Sequence, residues 1–138
     1  MINLIVGKKG SGKTKKLVEY ANGLIPRSAG NVVVIVKGSK LTFELDHKAR
    51  LVNVDNYEIR DFSALYGFVC GLCAGNYDLT DILVDSTLDI GGGSVDNFNA
   101  FIEKLNLLLE NSSTKLTLSV SLEEDQLSSA VKSVSNIM

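Results

Sequence analysis

Ile2-Asn3-Leu4-Ile5-Val6-Gly7-Lys8-Lys9-Gly10-Ser11-Gly12-Lys13-Thr14 joins an apolar, largely β-branched run to a glycine-rich turn and then to a lysine and a threonine. Ile2 to Val6 is apolar almost throughout rather than alternating, which predicts a strand covered on both faces. From Lys13 onward Leu17, Val18, Ala21 and Leu24 recur at helical spacing, and Gly23 with Pro26 is expected to end the helix. The stretch therefore reads strand, loop, helix, and its loop satisfies G-x-x-x-x-G-K-[ST] at every fixed position. Glycines at Gly7, Gly10 and Gly12 let the backbone curl tightly and bring its N–H groups against an anion with no Cβ in the way. The unpaired N–H groups and positive dipole end of the helix add to that anion site, Lys13 can reach the β and γ phosphates of a nucleotide, and the Thr14 hydroxyl can ligate Mg²⁺. Gly7, Lys8, Lys9, Gly10, Ser11, Gly12, Lys13 and Thr14 are the candidate phosphate-binding residues.

Outward from this stretch the chain alternates between the two periodicities. Val32 to Val36 predicts a second buried strand. Leu41-Thr42-Phe43-Glu44-Leu45 alternates apolar and polar residues, Asp46-His47-Lys48 follows, and Arg50 to Val54 is again strand-like, so a hairpin is expected there. Asp61 is the expected N-cap of a helix whose Phe62, Leu65, Tyr66, Val69 and Cys73 share one face, with Gly75-Asn76 as its stop. Ile82-Leu83-Val84 predicts a buried strand ending at Asp85, and Gly91-Gly92-Gly93 a loop. Val95, Phe98, Ile102, Leu105 and Leu109 trace the face of a long helix, and Leu116 to Val120 is a further strand. Ser121-Leu122-Glu123-Glu124 matches the capping box Ser-x-x-Glu, predicting a last helix with Leu127, Ala130, Val131 and Val134 inward. Strands alternating with helices imply βαβ units, and right-handed crossovers place helices on both faces of the sheet. The expected fold is α/β, a three-layer αβα sandwich around a mainly parallel sheet of five or six strands. Ligands in such folds bind at the carboxyl ends of the strands, which singles out the residues after Val6, Val36, Val54, Val84 and Val120.

Composition agrees with one soluble domain over residues 1–138: the chain is 45% hydrophobic and 22% charged. At this length roughly two-thirds of the unfolded surface can be buried, so neither a disulfide nor a structural metal is required. A net charge of −2 argues against a general nucleic-acid coat or a polybasic membrane anchor. The apolar stretch Ala64 to Gly75 is shorter than the ~20 residues a membrane helix needs. With its lysines after the first apolar run rather than before it, the chain lacks the pattern of a secretory signal, and the expected location is cytoplasmic.

The motif at Gly7 to Thr14 and the alternating elements resemble the P-loop NTPases, with motif-level likeness confined to that loop and to the segment ending at Asp85. Asp81-Ile82-Leu83-Val84-Asp85 looks like the Walker B strand of that superfamily, and the resemblance implies that Asp85 holds Mg²⁺ through water beside Thr14. It further implies ATP or ADP as the ligand, with Lys13, Asp85 and a water-polarising carboxylate as catalytic groups. Members often place a glutamate directly after the aspartate, whereas Ser86 stands there in this chain, which implies slow hydrolysis. Replacement carboxylates at strand ends are Asp55, Glu58 and Asp89, of which Asp55 is the expected one. Lys8 matches the extra lysine of the deviant Walker A pattern of ParA-like and MinD-like ATPases, but Lys9 replaces the second glycine of that pattern, and Lys8 is read as an exposed loop lysine. Absence of an Asn-Lys-x-Asp tetrad favours ATP over GTP.

Three function classes fit this reading. The first is a Mg-dependent ATP-binding protein that hydrolyses slowly and acts as a switch with a protein partner or in a homo-oligomer. The second is a small-molecule kinase, for which only Arg27, Arg50 and Arg60 are available and no lid-sized insertion exists. The third is a P-loop remnant that serves as an interaction module. Cys70-Gly71-Leu72-Cys73 has no second pair and the one histidine, His47, lies far away in sequence, so buried structural thiols are expected rather than a zinc site. Tyr57, Phe62 and Tyr66 are more readily core residues than a base-stacking platform.

Overall fold

The computed structural model describes residues Met1–Met138. Its strands are β1 (Ile2–Val6), β2 (Asn31–Val36), β3 (Arg50–Asn53), β4 (Leu79–Val84), β5 (Lys115–Val120) and β6 (Ser135–Ile137). Its helices are α1 (Lys13–Leu24), α2 (Phe62–Gly75), the single turn α3 (Thr87–Ile90), α4 (Val95–Leu109) and α5 (Ser129–Val134). The strands form one sheet in the order β3-β2-β4-β5-β1-β6, and every pair is parallel. No helix is long and apolar enough to cross a membrane.

Alternation along the strands divides the interior in two. Ile2, Leu4, Ile82, Val84, Leu116 and Leu118 face one way and pack with Phe62, Leu65 and Val69 of α2, Phe98, Ile102 and Leu105 of α4, and Val131 of α5. Ile5, Val32, Val34, Val36 and Leu83 face the other way onto Leu17 and Ala21 of α1. Helices thus cover both faces, in three layers, with the larger core on the α2/α4/α5 side.

Two expectations are corrected. Leu41 to Leu45 is not a strand and makes no hairpin. It forms consecutive turns whose Leu41 and Leu45 drop into the smaller core, while the Asn22 side chain pins them by donating to the Glu44 carbonyl and accepting from the Asp46 N–H. The same leucine spacing that reads as strand alternation also serves a turn at i, i+4, and Leu45 N–H donates to the Leu41 carbonyl at 3.3 Å. Residues 37–49 are then long enough to cross over and lay β3 parallel to β2, which a tight hairpin cannot do. The sixth strand is β6 instead, paired with β1 through Ile2, Asn3 and Leu4.

The Ser121 capping box does not form. Gly7 N–H donates to the Leu122 carbonyl at 2.8 Å and the Leu122 side chain is buried, so the backbone there is held to the glycine loop and cannot turn into a helix. Gln126 accepts from the Glu123 N–H in a short 3₁₀ turn, and α5 starts only after Ser128, whose hydroxyl accepts from Val131 N–H at 3.1 Å. Of the four side chains expected inward, Leu127 and Val131 are buried, Val134 is half-buried and Ala130 is exposed. Helix α1 ends as expected, at Leu24 between Gly23 and Pro26, and passes into a 3₁₀ turn that contains Pro26. Asp61 does cap α2, its carboxylate accepting from Ala64 N–H at 2.7 Å.

Candidate functional site

The loop between β1 and α1 closes on itself through Ser11 N–H to the Lys8 carbonyl (3.1 Å), and α1 opens with Lys16 N–H on the Gly12 carbonyl (3.1 Å). Gly12 sits at φ 87°, a left-handed conformation that costs a residue with a Cβ about 1–2 kcal/mol. At Gly7 the φ of 151° is one that a residue with a Cβ rarely adopts, and a Cβ there would also push the Ser11 hydroxyl, 2.6 Å away, aside. The Lys13 ammonium arches back over the loop and donates to the Lys8 carbonyl at 2.7 Å. Lys8 itself turns away, to an exposed ion pair with Glu123 at 3.8 Å of the kind that contributes little.

Strand β4 ends beside this loop. Asp85, 8% exposed, accepts from the Thr14 hydroxyl, which lies 3.0 Å from one carboxylate oxygen and 3.1 Å from the other. Ser119 of β5 donates to the same carboxylate at 2.6 Å and accepts from Ser86 N–H at 2.9 Å. Asp85 is therefore held from two sides. It is not on the strand next to β1, since β5 lies between β4 and β1, and Ser119 is the residue of that intervening strand that bridges the gap. Ser86 adopts φ 55°, the left-handed region, directly after Asp85.

Lys9, Gly10, Gly12, Lys13, Thr14, Lys40, Ser86, Asp89, Ser119 and Ser121 line a cleft of about 580 Å³ with no hydrophobic side chain in it. Three lysines against Asp89, with Asp85 below, leave the wall net positive, a potential that favours a polyanion. Asp55 does not join this cleft. It lies exposed in a 3₁₀ turn after the edge strand β3, its N–H tied to the Asn53 side chain, and Glu58 is likewise exposed in the turn that follows. Asp89 is the carboxylate of the three that the fold brings to the loop.

Ser119 escaped the sequence reading because a serine in Leu116-Thr117-Leu118-Ser119-Val120 reads as the polar face of a strand. The available signal was that a strand covered on both faces has no solvated side, so Thr117 and Ser119, both 1% exposed, need partners. Thr117 has its own, accepting from Asn3 at 3.3 Å.

The donor set suits one cation class. No three His, Cys, Asp or Glu side chains converge anywhere in the chain, the set a structural zinc site would need. Mg²⁺ asks for less: it keeps several waters, takes phosphate oxygens and is commonly held by one or two protein oxygens, which Thr14 and Asp85 present side by side. The cysteines lie apart from all of this. Cys70 and Cys73 are half-exposed on α2 rather than buried as expected, and burial followed by the neighbouring Cys70 pushes the Cys73 thiol up. Phe62 is core, against Phe101 at 4.9 Å, whereas Tyr57 is exposed and stacks on Phe68.

No protein-family model matches the chain, and a search of curated proteins finds no match.

Proposed function

We propose that the protein is a Mg-dependent ATP-binding P-loop protein, a slow ATPase or nucleotide switch that needs a partner or a second copy for full turnover. The observation that carries this reading is the contact of Thr14 with Asp85, which joins the end of the G-x-x-x-x-G-K-[ST] loop to the end of the Walker B-like strand across 71 residues of sequence. In this reading the N–H groups of Gly10 to Lys13 and the start of α1 bind the β-phosphate, and Lys13 moves from the Lys8 carbonyl onto the phosphates. Thr14 and Asp85 would hold the metal, which would supply charge neutralisation at the phosphates. Ser119 fixes the Asp85 carboxylate so that its orientation is not lost to rotation. Asp89, which lines the cleft where Asp55 does not, is the carboxylate that could polarise a water there.

Slow turnover follows from Ser86 at the position after Asp85 and from a cleft wall without arginine. An arginine supplied by a partner is worth roughly 10³ to 10⁵ in rate where it is used. The test is calorimetric titration of ATP, ADP and GTP with and without Mg²⁺, followed by phosphate release. Mg-enhanced ATP binding with turnover below about 1 s⁻¹ is expected. Absence of nucleotide binding in both conditions overturns the assignment, and transfer of phosphate to a small acceptor would move the protein into the kinase class.

A further inference from the structure

Lys40 lines the phosphate-loop cleft from the segment that follows β2, and β2 is separated from β1 by β4 and β5. At about 4.8 Å per strand the ends of β2 and β1 stand roughly 14 Å apart, so Lys40 reaches the cleft from the side opposite the glycine loop. Asp85, whose N–H donates to the Ile35 carbonyl of β2 at 2.9 Å, lies between the two. Lys9 and Lys13, the other cations of the wall, belong to the loop and to the first residue of α1.

The backbone that carries Lys40 is fixed on both sides. Gly38 turns the chain out of β2 at φ 86°, in the left-handed region, and its N–H donates to the Asn53 side chain at 2.9 Å. Lys40 and Leu41 form the centre of the next turn, which closes twice on the Ser39 carbonyl, through the Thr42 N–H at 3.3 Å and the Thr42 hydroxyl at 2.8 Å. Leu41 and Leu45 are buried in the smaller core, and the Asn22 side chain of α1 holds Glu44 and Asp46. The turn is thus clamped to α1 and β3, with Lys40 left on the cleft wall. No acid of the chain pairs with its ammonium, since the ion pairs of the protein are Lys8–Glu123 and His47–Asp46. An exposed lysine without a partner is ordinary by itself. One held by a clamped turn at the far end of a cleft with no hydrophobic lining is a fixed positive end for an anion seated on the loop.

We propose, building on the ATP-binding reading of this cleft, that Lys40 reads the terminal phosphate of a nucleoside triphosphate, so that the protein distinguishes triphosphate from diphosphate through this residue. The direction from the glycine loop past Thr14 and Asp85 leads to the end of β2, and a phosphate chain extended that way brings only its last group toward Lys40. A diphosphate held by the loop and Lys13 ends short of it. Lysine suits the task because its flexible stem carries a compact charge with three donors, which does not demand the fixed planar geometry of an arginine fork.

The test is calorimetry of ATP and ADP, at one salt and Mg²⁺ concentration, on the parent, Lys40→Ala, Lys40→Arg and Lys37→Ala. Lys37 is exposed on the same segment but is not part of the cleft wall, so its removal takes the same charge from the general field alone. Lys40→Ala should weaken ATP at least about fivefold and ADP less than about twofold, because a bond between charged groups is lost only with the triphosphate. Lys40→Arg should keep most of the preference, since it keeps the charge. Lys37→Ala should leave the ratio of the two affinities within about twofold, its charge being screened by salt. An unchanged ratio in Lys40→Ala, an equal change in Lys37→Ala, or a loss in Lys40→Arg as large as in Lys40→Ala overturns the proposal. Any of these, with ATP still bound by the parent, leaves the phosphate loop standing, whereas a parent that binds neither nucleotide removes both readings together.

Discussion

The Thr14 hydroxyl and the Asp85 carboxylate lie 3.0 Å apart although a whole strand, β5, separates the strands that lead to them. The contact exists because three chain segments end at one level of a parallel sheet. Val6 pairs with Val120 and Val84 with Leu118, so the loops after β1, β4 and β5 emerge together, and Ser119 stands between the outer two. In an antiparallel sheet β5 would end on the opposite side from β1 and β4, and the loop after it would leave the cleft.

Asp85→Asn tests the metal role of that contact. The substitution keeps shape and can keep hydrogen bonds from Thr14 and Ser119, so the fold should persist. Mg-dependent ATP affinity should fall roughly 10–100-fold, the usual loss when an outer partner of a metal is removed, while metal-free affinity changes little. Calorimetry with and without Mg²⁺ makes the comparison, and equal losses in both would show damage to the loop instead.

Lys13→Ala removes a side chain that is bonded only within its own loop, to Lys8 and, at a long 3.5 Å, to Ser11. Its melting temperature should stay close to that of the parent. Because hydrogen bonds to charged groups are worth about 1.5–3 kcal/mol, ATP affinity should drop roughly 10–100-fold. Binding at parental strength would remove the loop from the mechanism.

Much of this architecture was legible in the chain, for identifiable reasons. Strands β1, β2 and β4 contain short, largely β-branched apolar runs with few other uses, and β5 was legible as a strand through its alternation of Leu116, Leu118 and Val120 with Thr117 and Ser119. Helix α4 was legible through its spacing, although Phe101 also packs inward beside Phe98. What could not be read were features set by long-range pairing. Ser135-Asn136-Ile137 is too short and too polar to announce a strand, and it becomes one because Asn136 bonds Asn3 while β1 offers a free edge. Asp55 was preferred to Asp89 because strand order is not written locally, and only the order β3-β2-β4-β5-β1 puts the first at the margin and the second in the cleft. Ser119 required knowing that β5 lies between β4 and β1.

Ser86→Gly should stabilise the protein. Its left-handed φ of 55° costs a residue with a Cβ about 1 kcal/mol, and its hydroxyl makes only a 3.5 Å contact with Asp85. Thermal denaturation should show a rise of about 3 °C. A fall instead would mean that the serine side chain contributes more to the turn than its contacts suggest.

Cys73 should react slowly with thiol reagents near pH 8. Burial raises its pKa in the folded chain, so the thiolate is scarcer than in an unfolded peptide, and the neighbouring Cys70 adds to the effect. The sign is that of a group protonated more tightly when folded: any stability it contributes is present at lower pH and is lost as pH rises through the folded value. Labelling rates measured against pH, in native buffer and in denaturant, should therefore differ most just above the ordinary cysteine range and converge at higher pH. A native rate equal to the denatured one at every pH would contradict the burial effect.

Ser119→Ala separates support of the Asp85 carboxylate from simple packing. The serine is 1% exposed, donates to Asp85 at 2.6 Å and accepts from Ser86 N–H at 2.9 Å, so its hydroxyl ties the Asp85 carboxylate to the strained residue after it. Removing it leaves a buried carboxylate short of one donor and a backbone N–H without an acceptor, a loss of about 1–3 kcal/mol that chemical denaturation would detect. With the Thr14 hydroxyl and the long Ser86 contact left against it, Asp85 gains rotational freedom, and Mg-dependent ATP affinity should weaken about tenfold while the metal-free affinity holds. Ser119→Thr restores the hydroxyl and adds a methyl. It should recover the Mg²⁺ dependence even if the extra volume costs some stability, because the two effects come from different atoms. If both variants lose stability alike and neither alters the Mg²⁺ dependence, Ser119 is a packing residue and the Asp85 carboxylate is oriented by Thr14 alone.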